Sequence, residues 1–127
     1  MRRQPQPGKR PGRERGQATL ELVGITPILI LVALAAVQLG LAIYAVQQAG
    51  TASRAAARTA SHSHPGTSVT QAGRDSMSDW LAKKATFTQS VGGQSDEVEV
   101  TAKVPIPSIV PGLGLGTAER TVTMPRD

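Results

Sequence analysis

The sequence predicts a membrane-anchored α+β protein: a long N-terminal transmembrane helix continuing outward, a second amphipathic helix, and a small C-terminal antiparallel β-hairpin. Three observations carry this. Residues 22–46 are apolar and free of charge. Apolar and small residues recur at helical spacing between Val69 and Leu81, and alternate with polar ones between Glu97 and Val104. Three segments follow: a basic leader (1–16), the transmembrane and extended helix (17–61), and a small extracytoplasmic region (62–127).

The formal charge is +5. Residues 1–16 hold Arg2, Arg3, Lys9, Arg10, Arg13 and Arg15 against Glu14 alone, so the whole excess lies in the leader. Rich in Pro, Gly, Gln and Arg, this leader has no apolar periodicity and is expected to be disordered. No aromatic residue interleaves the arginines and no recognition motif follows them, so nucleic acid is not expected as a partner. Positive charge beside an apolar run instead places that flank in the cytoplasm and the C-terminal part outside, in a single pass of the cell membrane.

As a helix at 1.5 Å per residue, residues 22–46 span about 37 Å, enough for a hydrocarbon core of about 30 Å. A cleaved secretory signal has a shorter apolar region, and a cut near Ala45 or Ala49 is the alternative. Glu21 opens the run. An ionisable group at this place is either solvated at the headgroup boundary or held by a partner. Pro27 removes one helical hydrogen bond and clashes with the preceding turn, so a kink or local unwinding is expected there. Ala33, Ala36 and Gly40, spaced by three and four, give one face a close-packing surface.

The junction Arg13-Glu14-Arg15-Gly16-Gln17-Ala18-Thr19-Leu20-Glu21-Leu22 resembles the processing site of type IV pilins: a glycine after a basic stretch, four residues, then a glutamate opening an apolar helix. Pro27 stands six positions after Glu21, with Gln38 and Gly40 eleven and thirteen beyond the proline, and Ser53-Arg54-Ala55-Ala56-Ala57-Arg58 follows the apolar run. Together these resemble the TadE-like proteins of Tad pilus assembly. The family commonly has an acidic residue where Gln38 stands and an aromatic where Leu22 stands.

The resemblance implies a prepilin peptidase as a partner, cutting between Gly16 and Gln17. It also implies assembly through Glu21, Pro27, Gln38 and Gly40 with other pilin or pseudopilin subunits and the Tad-type machinery. In such an assembly the new α-amino group of one subunit, with a reference pKa of about 7.7 to 8.0, pairs with the Glu21 carboxylate of its neighbour. The implied function is that of a pseudopilin or minor pilin. The alternative is an uncleaved signal-anchored surface protein whose ectodomain is a binding module.

Beyond the membrane, residues 47–61 are expected to continue the helix, with Arg54 and Arg58 on one face. His62-Ser63-His64-Pro65-Gly66 breaks it. Two histidines with no cysteine and no nearby carboxylate do not make a metal set. A helix is expected over 67–85, with Val69, Ala72, Gly73, Ser76, Met77, Trp80 and Leu81 on its apolar face and Trp80 as its anchor. Strands are expected over 97–104 and, more weakly, 118–124. The intervening Pro105-Ile106-Pro107 and Pro111-Gly112-Leu113-Gly114-Leu115-Gly116 form a loop too apolar for a linker, suited to a membrane surface or a neighbouring subunit. No helix follows its glycines, so they do not make a phosphate cradle. No catalytic constellation, cofactor motif or cysteine is present. A disulfide-free ectodomain of this size is marginal alone and suits folding against partners rather than catalysis.

Overall fold

Six elements run in the order α1 (Gly12–Ser61), α2 (Val69–Asp75), α3 (Asp79–Ala82), β1 (Thr86–Val91), β2 (Glu97–Pro105) and β3 (Thr117–Pro125). The computed structural model describes residues 2, 4, 8, 12–62, 68–91 and 96–127. The expected break at His64-Pro65-Gly66 and most of the leader lie outside these. The chain divides into two units, residues 1–36 and 37–127, and α1 contributes to both.

In the first unit α1 starts at Gly12, inside the stretch read as a leader, rather than at Gln17. Residues 16–36 are all exposed. The helix passes through Pro27 with no unwound turn, contrary to the expectation of local unwinding. Proline withholds a single N–H, and hydroxyl side chains help such turns persist. The Thr26 hydroxyl donates to the Leu22 carbonyl at 2.6 Å, one residue before the Val23 carbonyl that Pro27 leaves without its N–H.

In the second unit the C-terminal part of α1 is one layer and a three-stranded antiparallel sheet, in the order β1-β2-β3, is the other. The helix is apolar on its inner face mainly through alanine, with Tyr44 and Val46 packed beside it. Ala45, Ala49, Ala52, Ala56 and Ala60 recur at steps of three and four and are buried, with Ser53 and Ala57 beside them. Such short side chains let the sheet approach the helix closely. From β2, Val98, Val100, Ala102 and Val104 alternate inward, and Ala118, Val122 and Met124 of β3 continue that face. The opposite face is polar, with Thr101 and Thr121 hydroxyls paired at 2.8 Å and Lys103 and Glu119 at 3.7 Å.

The expected hairpin is therefore present as β2–β3, and β1 extends it to three strands. Nothing in the sequence marked β1, because its only large apolar residues, Phe87 and Val91, are four apart with polar residues between them. At the sheet edge only Phe87 is even half-buried.

The single helix expected over 67–85 is two short ones. Ser68 caps α2, its hydroxyl accepting from the Gln71 N–H at 3.4 Å. The chain leaves the helix at Ser76, whose N–H and hydroxyl both donate to the Gly73 carbonyl. Extended Ser78 then opens α3. Serine competes for backbone groups in this way and favours helix ends over interiors. The break lets Met77, Leu81, Ala82 and Ala85 all enter the core against Ala45, Ala49 and Ala52. Leu81, 1% exposed, is the anchor; Trp80, 47% exposed, is not.

Gly73 marks how tightly this layer closes. A Cβ placed there would overlap the Phe87 ring, whereas one at Gly50 in α1 meets nothing within 4 Å. Gly50→Ala should therefore stabilise by about 0.5–1 kcal/mol through helix propensity. Gly73→Ala, with the same propensity gain, should destabilise because overpacking costs about 1–3 kcal/mol. Urea titration of the detergent-solubilised chain, followed by Trp80 fluorescence, should give midpoints that move in opposite directions.

Candidate functional site

The residues the sequence singled out fall into two groups. Gly16, Gln17, Glu21 and Pro27 lie on the first part of α1: all are exposed, and a Cβ at Gly16 would meet nothing within 4 Å. Among the described residues Glu21 forms no ion pair. Gly40 is likewise exposed with open space beside it. Gln38 differs from all of these. It is 7% exposed, on a stretch of helix where Val37 and Leu39 on either side are more than half exposed.

What covers Gln38 is the apolar loop between β2 and β3. Its Nε2 donates to the Pro107 carbonyl at 2.7 Å, and its Oε1 accepts from the Ile109 N–H at 3.0 Å. The two partners fix which end of the amide is which, since a carbonyl needs a donor and an N–H an acceptor. A carboxylate serves only half of this arrangement. It accepts from Ile109 but presents charge to the Pro107 carbonyl. The neutral amide thus serves both of its loop partners.

The loop is shaped around this clamp. The Ile106 N–H donates to the Gly116 carbonyl at 3.1 Å and closes the loop's base. Gly112 and Gly116, with φ of 84° and 83°, take left-handed turns that a side chain would strain. The Ser108 hydroxyl donates to the Val110 carbonyl at 2.8 Å and accepts from the Val110 N–H at 3.3 Å.

A second set of polar contacts lies further along α1. The Gln48 Oε1 accepts from the Ser78 N–H at 3.0 Å, the hydroxyls of Tyr44 and Ser78 are hydrogen-bonded, and the Tyr44 ring stacks on Trp80 with centroids 6.2 Å apart. Sequence reasoning missed both clamps. The only signal of the first was a polar residue inside an apolar run and a distant loop too apolar for its place.

The Gln38 clamp makes a direct prediction. Gln38→Leu removes both hydrogen bonds and should cost about 1–3 kcal/mol by leaving two backbone groups unpaired. Gln38→Glu should also destabilise, through the Pro107 carbonyl, while keeping an acceptor for Ile109. Amide hydrogen exchange in detergent should therefore show the Ile109 N–H deprotected by the leucine variant and much less so by the glutamate.

α1 is long and apolar enough from Gly16 to Ser61 to cross a membrane, which fits a single-pass anchor. No curated protein and no solved structure matches the chain. A family model does match, over residues 16–58. This segment takes in Gly16, Glu21, Pro27, Gln38 and Gly40 and five of the six buried alanines of α1, and stops short of the sheet and its loop. The family is described as TadE-like protein, and residues 16–58 of this chain are similar to it.

Proposed function

We propose that this chain is a pseudopilin or minor pilin that acts in assembly of a Tad-type pilus or a related secretion apparatus, through lateral packing of its N-terminal helix. One observation carries the reading. Along the TadE-like segment, every residue from 16 to 37 is exposed, whereas the ectodomain takes up the alanines from 45 onward. The chain's own fold thus leaves the first half of the helix open to lipid and to neighbouring subunits. Its role is structural rather than catalytic.

Within this reading the basic leader holds the N-terminus in the cytoplasm of a cell-membrane protein. A prepilin peptidase cuts after Gly16. Glu21 is the residue that then selects a neighbour, since a carboxylate in a membrane helix is costly without a partner and the freed amino group of an adjacent subunit supplies one. Pro27 and Gly40 are also exposed on α1.

In cells with a cognate peptidase, mass spectrometry of the membrane-extracted protein should find Gln17 as the first residue, and Gly16→Leu should abolish the cut. An intact N-terminus would instead favour the uncleaved surface protein with a binding ectodomain.

Glu21→Ala removes the carboxylate while keeping helix propensity and easing insertion. It should accumulate and be cut normally, yet lose crosslinking to neighbouring subunits and impair the apparatus. Normal crosslinking and a working apparatus would leave Glu21 as a solvated boundary residue.

A further inference from the structure

We propose that the loop between β2 and β3 is a second membrane contact, lying at the outer edge of the bilayer core with Ile109, Val110 and Leu113 against lipid. This rests on the membrane-anchor reading of α1. The first observation is depth. A bilayer core takes up roughly 20 helical residues, and the uncharged run covers 22–46. The earliest such stretch is 22–41 and the latest 27–46, so residue 38 lies inside the core in either limit. Gln38 holds the loop at Pro107 and Ile109, which brings those residues to the same depth. Ile106 packs with the cluster that contains Ala45 and Ala49, so from Ile106 to Ile109 the chain runs along α1 toward the apolar run.

The loop's chemistry suits that place. No charge occurs between Lys103 and Glu119, and Ile109, Val110, Leu113 and Leu115 are exposed. Irregular backbone is costly in lipid unless its polar groups are paired. Pro105, Pro107 and Pro111 carry no N–H at all. The Ile106, Ile109, Val110 and Leu113 amides donate to Gly116, Gln38, Ser108 and Val110 respectively. A shallow position leaves the remaining amides within reach of headgroups and interfacial water.

The aromatic pair agrees. Tyr44 lies six residues beyond Gln38, about 9 Å along the helix. With the span at 22–41, that sets the stacked Tyr44 and Trp80 rings at headgroup depth, where amphipathic aromatics collect. The glutamine in the run thus pairs two backbone groups of a loop that lies against lipid.

The chain has no cysteine, so single cysteines can carry an environment-sensitive fluorophore in the full chain, reconstituted at low density in phosphatidylcholine–phosphatidylglycerol vesicles. Ile109→Cys reports on the loop, Leu29→Cys on the helix and Ser90→Cys on the sheet. The expected result is blue-shifted emission at positions 29 and 109, lost on adding lipids with nitroxides on the acyl chain, while position 90 is quenched by aqueous iodide instead. Leu113→Cys repeats the loop measurement should Ile109→Cys lose the wild-type Trp80 emission. Lipid quenching at 29 with iodide quenching at the loop would overturn the proposal alone. Iodide quenching at both would overturn the anchor reading with it. A loop label shielded from both quenchers, with disulfide crosslinks between copies at position 109, would make a second copy of the chain the occupant and also overturn it.

Discussion

The alanine seam of α1 against the valines of β2 is the contact on which the rest of the second unit depends. A disulfide-free region with a three-stranded sheet and two short helices has little apolar surface of its own, and such small domains are marginal. It becomes stable by taking part of α1 as its second layer. Ala45, Ala49, Ala52, Ala56 and Ala60 provide a face that is apolar but flat. Larger residues there would hold the sheet away, and the buried partners Leu81, Val98, Val100 and Val104 would lose their close fit.

The seam also divides the labour of the helix. Where alanines face inward, the helix is part of a soluble core and its outer face carries Arg54 and Arg58. Where Leu, Ile and Val replace them, from Leu20 to Ile43, the side chains are largely exposed, and water is an unsuitable solvent for so much apolar surface in one run. One helix thus presents two kinds of apolar face. The TadE-like match covers both, which ties the family's signature to the anchor and to the alanine platform, but not to the sheet built on it.

Gln38 stands where these two regimes meet. A polar side chain in an apolar run is tolerated when its hydrogen bonds are made, and its amide meets both a donor and an acceptor from one loop. That explains why a neutral residue occupies the position, and why the loop it holds is rich in proline and free of charge. The Tyr44, Gln48, Ser78 and Trp80 contacts add a second polar tie further along the helix, joining α3 to α1.

Much of this was legible from residue order alone. The uncharged run of 22–46 requires an apolar surrounding, the alternation from Val98 to Val104 requires a half-buried strand, and the Gly16–Glu21–Pro27 spacing marks the TadE-like segment. Each is a local pattern set by the period of a helix or strand. Pairing between distant segments was not legible. Phe87 and Val91 form no alternation, so β1 was visible only once β2 offered it an edge. Ser76 ends α2 and Ser78 opens α3, a break that brings both Met77 and Leu81 into the core with α1, and Trp80 yields its expected anchor role to Leu81. The partners of Gln38 are some seventy residues away, a separation no periodicity records. Sequence determined which segments are apolar and with what period; only the tertiary structure decided which polar groups those segments bury together, because hydrogen-bond pairing depends on where the folded chain brings two backbones into contact.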